Sequence, residues 1–262
     1  MPELPDLEVL KDSLNSRFGG KKITEVNLKR PEFLKTRFFP VEVFRNTTLV
    51  EVSRRGKVLI FSAQNGFKLV FHPMLRGWVL KQADDYILKF EFEDGSGLFF
   101  LEMEEVGLLQ LYIVKKPENL RILKNLGPEP LTDDFGSQYF YEKAKSSRDS
   151  VKKLLTTQKI VAGIGNAYAD EILWEARINP FKKSNTLSLN EVETLVKSTK
   201  LVLNEAIVTL KEVAAGDFPP FEYREHLKIH RRDGLPCPRC GTPIAVKFEG
   251  DRGTYWCPAC QV

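Results

Sequence analysis

The sequence predicts an α+β multidomain protein, and three features carry that reading. Residues from about Ile23 to Val114 are dense in β-branched and aromatic side chains. Apolar residues between Ser188 and Leu210 recur on one helical face, and all four cysteines fall in two Cys-x-x-Cys pairs near the end of the chain. At 262 residues, 42% hydrophobic and 28% charged, the chain has enough apolar material for one large core or two smaller ones, and two domains are expected.

The chain opens MPELPDLEVL. Leu7, Leu10 and Leu14 follow helical spacing, with Pro5 ahead and Gly19-Gly20 behind as start and stop signals, so a short helix begins the protein. If Met1 is trimmed, which the small residue behind it permits, the chain starts with the secondary amine of Pro2, an unusual nucleophile. The stretches VEVFRNTTLVEVSRRGKVLIFS (41–62) and YILKFEFEDGSGLFFLEM (86–103) read as strands, with Asp94-Gly95 supplying a hairpin turn, and together predict an N-terminal antiparallel β-sandwich. Pro117, Pro128 and Pro130 punctuate a linker. Beyond it, Ser188 and Glu191 have the form of a capping box, and Val192, Leu195, Val196, Leu203, Ile207 and Leu210 make the core stripe of a long helix. The expected boundaries are a β-sandwich domain over 1–115, a linker over 116–130, a helical domain over 131–226 and a C-terminal hairpin over 227–262.

Cys237, Cys240, Cys257 and Cys260 form two knuckles separated by sixteen residues, the spacing of a tetrahedral four-thiolate zinc site on a β-hairpin. A pair of disulfides is the alternative. No basic and apolar secretory leader opens the sequence and no run approaches the ~18 apolar residues of a membrane span, so an intracellular chain with reduced thiols is expected. A closed four-cysteine shell has no open coordination position, so one zinc ion would hold the fold together.

The net charge of +4 and a pI of about 8.7 permit a polyanionic partner, and REHLKIHRR (224–232) is a basic stretch just before the first cysteine. In VAGIGNAYADE, Gly163 and Gly165 predict a tight turn between two helices, with Asn166 capping the second; amides at such a helix start suit an anion, and Lys152, Lys153 and Lys159 add cations nearby. Arg252, in the turn-like GDRGTYW between the knuckles, has the planar fork that suits phosphate.

PELPD at the start, RRGK at Arg54 to Lys57, VAGIGNAYADE, and CPRCGTPI with TYWCPACQ agree in order and spacing over essentially the whole chain with one family. The sequence resembles the formamidopyrimidine-DNA glycosylase and endonuclease VIII family. The resemblance implies a β-sandwich, a helix-two-turn-helix domain and a zinc hairpin, with damaged or abasic DNA, duplex or single-stranded, bound by a monomer in the cleft between the lobes. It implies base excision followed by β,δ-elimination of the abasic site. Pro2 then carries over as the nucleophile toward the sugar C1′ and Glu3 as its proton-transfer partner. Lys57 carries over as a contact to the phosphate at the lesion, and Asn166 and Arg252 as phosphate binders.

Two stretches depart from that pattern. HPMLRG (His72 to Gly77) stands where the family commonly has HLGMSG, so Leu75 takes the position of a methionine that fills the gap left by an everted nucleotide, with His72 beside it as a further DNA-contact candidate. EMEEVG (Glu102 to Gly107) stands where D-x-R-R-F-G is usual, placing Glu104 and Glu105 where cations are expected, and predicts a loop that stays out of duplex DNA. VAAGDFPPFEY (213–223) is also unlike the family's lesion-covering loop. Two other readings therefore stay open: a non-catalytic damaged-DNA-binding protein, and an abasic-site lyase without a glycosylase step.

Overall fold

In the computed structural model, which describes residues 1–36 and 38–262, helix α1 spans Leu4–Phe18. It starts where it does because Glu3 and Asp6 form a capping box, the Glu3 N–H donating to Asp6 Oδ2 at 2.8 Å. Pro5 sits in the first turn, where its missing N–H forfeits no helical bond. Leu7, Leu10, Leu14 and Phe18 are fully buried. Asn15 lashes the helix to Val52, accepting from its N–H at 2.7 Å and donating to its C=O at 2.6 Å.

Eight strands follow among the described residues: β1 (Lys22–Leu28), β2 (Thr47–Arg55), β3 (Val58–Ala63), β4 (Lys68–His72), β5 (Gly77–Leu80), β6 (Leu88–Phe92), β7 (Gly97–Glu102) and β8 (Gln110–Val114). Their order is β5-β7-β6-β1-β2-β3-β4-β8, every pairing antiparallel. The β1–β2 ladder is short, with Lys22↔Thr48 and Ile23↔Thr47 in register and the Gly20, Leu49 and Asn46 N–H groups bonding beside them, which lets one half of the sheet fold over the other. Phe100 on β7 accordingly meets Phe61 of β3 at 5.2 Å and Phe71 of β4 at 5.6 Å, although those strands are far apart in the sheet order. This is the expected sandwich. β6 alternates, burying Leu88, Phe90 and Phe92, whereas β3 is buried throughout. The Asp94-Gly95 turn forms as expected, with Gly95 at φ 79°.

One expected strand segment differs. Val41–Phe44 is a 3-10 turn, because Pro40 sets its entry and the three-residue repeat points Val41 and Phe44 together into the core.

The chain divides into two units, Met1–Lys124 with Leu210–Tyr223, and Asn125–Thr209 with Arg224–Val262. In the first, residues 210–223 are carried onto the sandwich by two rings. Phe218 lies 6.3 Å from Phe18 and Phe221 meets Trp78 edge-on at 5.5 Å, and Ser13 Oγ donates to the Asp217 carbonyl at 2.8 Å. Sequence alone groups these residues with the helices, because the rings that hold them come from distant strands. The second unit contains α3 (Ser137–Lys145), α4 (Val151–Thr156), α5 (Asn166–Glu175), most of α6 (Leu189–Ala214), and the hairpin β9 (Ala245–Glu249) and β10 (Arg252–Trp256); the short α2 (Arg121–Lys124) closes the first stretch of unit one. The Ser188–Glu191 box forms, the Ser188 N–H donating at 2.8 Å and the Glu191 N–H returning to Ser188 Oγ at 3.3 Å. Val192, Leu195, Val196, Leu203 and Leu210 are buried as expected, while Ile207 is half-exposed and Ala206 takes the inward position. Among the described residues no helix is long and apolar enough to cross a membrane.

Phe100→Ala removes a ring shared by three aromatic neighbours, Phe61, Phe71 and Phe90. The expected cost is about 3–5 kcal/mol, read from the denaturant midpoint of a sandwich-reporting probe.

Candidate functional site

Pro2 is buried and Glu3 is only 3% exposed at the capped start of α1, while Met1 reaches solvent. The RRGK turn is tied to the same helix. Arg54 Nε donates to Glu8 Oε2 at 2.6 Å and its Nη1 to the Gly56 carbonyl at 2.9 Å, and Gly56 takes the positive φ of 56° that closes the turn. Burial pushes the Glu8 carboxyl up, but its bonds to Lys11 and Arg54 outweigh this and hold it below the usual range. Lys57, at the end of this turn, is 6% exposed. Burial and the nearby Lys57 ammonium lower the His72 imidazole to about 4, so it is neutral at physiological pH. His72 Nδ1 accepts the Met74 N–H at 3.0 Å, which places the ring proton on Nε2. Lys57 and His72, named separately from sequence, thus share one neighbourhood, with His72 as a neutral bracket for the turn that carries Leu75.

That turn presents Leu75 at 45% exposure. Met74 adopts φ 52°, and Gly77 is required behind it, since a Cβ there would lie 2.5 Å from the Pro73 carbonyl oxygen. The neighbouring loop is organised by Glu102, whose carboxylate accepts the N–H groups of Val106, Gly107, Leu108 and Leu109 at 2.7–3.1 Å. Burial pushes Glu102 up, and these four amides more than reverse it. Glu104 and Glu105, the acidic residues that stand where the resemblance implies cations, are exposed and ion-paired: Glu104 with Arg76 at 3.2 Å and Glu105 with Arg30 at 2.7 Å. The Met103 N–H donates to the Arg76 carbonyl at 2.8 Å, joining the two loops, and Met103, Val106 and Leu108 are exposed beside them.

In the second unit, Gln158 shapes the glycine turn, its Oε1 accepting the Gly163 N–H at 2.9 Å and its Nε2 donating to the Ile164 carbonyl at 2.8 Å. Gly165 is the N-cap and Asn166 the first helical residue, so the helix starts one place earlier than the Asn166 cap expected from sequence. The Asn166 side chain is then released from capping duty, and its Nδ2 donates to the Gly253 carbonyl at 2.9 Å, beside Arg252. Lys152, expected as a surface cation, is instead buried, pairing with Asp170 at 2.7 Å and donating to the Gly253 carbonyl and Thr254 Oγ1. Asp170 is fully buried, so a lysine that reaches it must leave the surface. Lys153 pairs with Asp149 at 2.8 Å, Lys159 is exposed, and Arg252 is exposed at the tip of the hairpin, opposite Glu249.

All four cysteines are free thiols, not disulfides, and their sulfurs lie within 4.8 Å of one another. A tetrahedral shell with Zn–S of about 2.3 Å has S···S edges of about 3.8 Å. The observed separations of 3.3 Å for Cys260–Cys240, 3.5 Å for Cys240–Cys257 and 4.0 Å for Cys237–Cys260 fit that shell. Trp174 Nε1–H donates to Cys237 Sγ at 3.3 Å, connecting α5 to the metal centre. One structural zinc ion belongs here.

Glu8, Glu102, Asp170 and Trp174 were not marked by sequence. Arg54, His230 and Cys237, which bond Glu8, Asp170 and Trp174, lie 46, 60 and 63 residues away in the chain, whereas Glu102 had a local signal, a strand-end carboxylate shortly before Gly107.

Cys257→Ser is expected to abolish stoichiometric zinc in metal analysis and to collapse amide dispersion for residues 234–262, since such sites contribute ~10–16 kcal/mol to folding. Glu102→Ala is expected to speed amide exchange at Gly107 and Leu108 by about tenfold or more, ~1.4 kcal/mol of local opening. Because the folded carboxyl titrates below its unfolded value, the wild-type loop holds above the ordinary Glu range and loosens as pH falls through the depressed value.

Residues 1–109 match the formamidopyrimidine-DNA glycosylase N-terminal domain, residues 126–215 the formamidopyrimidine-DNA glycosylase H2TH domain, and residues 234–262 the zinc finger found in FPG and IleRS. The formamidopyrimidine-DNA glycosylase of Pelotomaculum thermopropionicum is 32% identical over 274 residues, covering 100% of this chain and 99% of the relative, and that of Enterococcus faecalis is 35% identical over 277 residues, covering 100% and 97%. Among solved structures, the MutM (Fpg) protein of Thermus thermophilus superposes with a TM-score of 0.87 at 30% identity over 99% of this chain and 98% of its own. The Lactococcus lactis Fpg in complex with abasic-site DNA superposes with 0.88 at 29% over 99% of each. With every segment of the architecture matched in order along the full length, the chain belongs to the formamidopyrimidine-DNA glycosylase family.

Proposed function

We propose that this chain is a base-excision-repair DNA glycosylase that also cleaves the resulting abasic site, acting as a monomer inside the cell. The observation that carries the reading is the buried Glu3 at the capped start of α1, directly behind Pro2. The Lactococcus lactis relative has been captured with abasic-site DNA and with Fapy-dG DNA, and damaged purines and abasic sites are the substrates proposed here.

A terminal amine has a pKa near 7.7–8.0, far below that of lysine, so Pro2 is partly neutral at physiological pH. Its nitrogen lone pair attacks C1′, and the base leaves with the electrons of the glycosidic bond and takes up a proton. Glu3 delivers a proton to the ring oxygen as the sugar opens, leaving an iminium between Pro2 and C1′. That cation acidifies C2′–H. Loss of this proton expels the 3′ phosphate, a second elimination expels the 5′ phosphate, and water releases the sugar remnant from Pro2. Lys57 holds the lesion phosphate, and Leu75 enters the gap left by the everted nucleotide. Asn166, Arg252 and Lys159 hold flanking phosphates, with zinc fixing the hairpin that carries Arg252. Glu104 and Glu105 each have an arginine partner, which offsets part of the acidic charge behind the non-catalytic reading.

Borohydride is expected to trap a covalent adduct with abasic-site DNA in the wild type and none in Pro2→Gly; a wild type that never forms the adduct overturns the reading. Arg252→Ala and Asn166→Ala are each expected to weaken DNA binding by about 1–3 kcal/mol, and only the arginine change lowers the salt slope, by about one.

A further inference from the structure

Residues 210–223 pack on the sandwich, and they bring a carboxylate to the beginning of the chain. Glu222 pairs through Oε1 with the Met1 ammonium and through Oε2 with Arg76 Nη1 at 3.5 Å, and its side chain is only 15% exposed. The placement is firm. Immediately before Glu222 in the chain Phe221 is seated against Trp78, and four residues further back Asp217 is held by Lys81, by Arg17 at 3.5 Å and, through its carbonyl, by Ser13. Glu222 itself adopts φ 50°, a left-handed conformation uncommon for a residue with a side chain and kept where surrounding structure enforces it.

We propose that Glu222 is a positioning residue for the terminal amine, holding Met1 before processing and, once Met1 is removed, pairing with protonated Pro2 between turnovers and with the iminium during one. This deepens the proposed function and rests on Pro2 being the nucleophile. The charged groups around the pair set the sign. Arg76 shares Glu222 and is itself shared with Glu104, so part of its charge is already spoken for; Glu3 stands on the α1 side of the amine. A carboxylate beside an ammonium favours the charged form, so Glu222 raises the pH at which Pro2 loses its proton and becomes nucleophilic.

The test uses full-length protein whose Met1 removal is confirmed by mass spectrometry, with the rate of borohydride trapping on abasic-site DNA followed against pH for the wild type, Glu222→Gln and Glu222→Asp. The glutamine variant keeps shape and loses charge. Its rising limb is expected to move to lower pH by about half a unit or more, a roughly threefold change in the neutral-amine fraction at a given pH. Its plateau rate is expected to fall, as the iminium loses its counter-charge. The aspartate variant should retain the wild-type limb more nearly than the glutamine one. A role in folding alone would lower the amount of active enzyme and leave the limb in place. A wild type that traps DNA while Glu222→Gln keeps an unmoved limb overturns this inference and leaves the nucleophile reading intact; a wild type that forms no adduct at any pH overturns both.

Discussion

The order of the first three residues depends on how helix α1 begins and what it lies on. Chain ends ordinarily fray, because nothing offsets their conformational entropy. Here the Glu3–Asp6 box closes the first turn, Leu4, Leu7, Leu10 and Leu14 are buried, and Glu8 and Asn15 are bonded to Arg54 and Val52 on β2. The end of the polypeptide therefore inherits the rigidity of a helix packed on a sheet. The RRGK turn inherits the same frame, since Arg54 bridges the helix to the carbonyl of Gly56 immediately before Lys57.

Much of this was legible in the sequence, for reasons that differ by element. The cysteine knuckles were plain because a tetrahedral shell leaves little freedom in ligand spacing. The sandwich and its Asp94-Gly95 turn were readable because strand period and turn chemistry are local. What escaped was long-range. Val41–Phe44 looked like a strand by composition, and only the core shows that its two outer residues must point the same way. Lys152 looked like a surface cation until Asp170, eighteen positions on, drew it inside. The partners of Glu104 and Glu105 were not legible, because Arg76 and Arg30 lie on other strands' connections, and pairing between loops leaves no trace in either loop's own sequence.

The second unit shows how a metal site and a helix start can be made to share a register. The Gly253 carbonyl accepts from both Lys152 and Asn166, Thr254 adds a further acceptor, and His230 links Asp170 at 2.7 Å to the ring of Tyr255 at 5.0 Å. Trp174 reaches the sulfur of Cys237 from α5. The exposed Arg252 is thus one residue from a backbone atom fixed by two donors, and its position is set by the helices as much as by zinc.

The return of residues 210–223 to the sandwich has a consequence for anyone dissecting the protein. The proline-rich connector after Val114 invites a cut there, yet a gene fragment ending at Lys124 would omit Phe218 and Phe221, taking the edge-on ring from Trp78 and one of two ring neighbours from Phe18. The compact unit is discontinuous in the genetic message, and a shortened clone would need that distant stretch grafted back by a designed connector to keep those contacts.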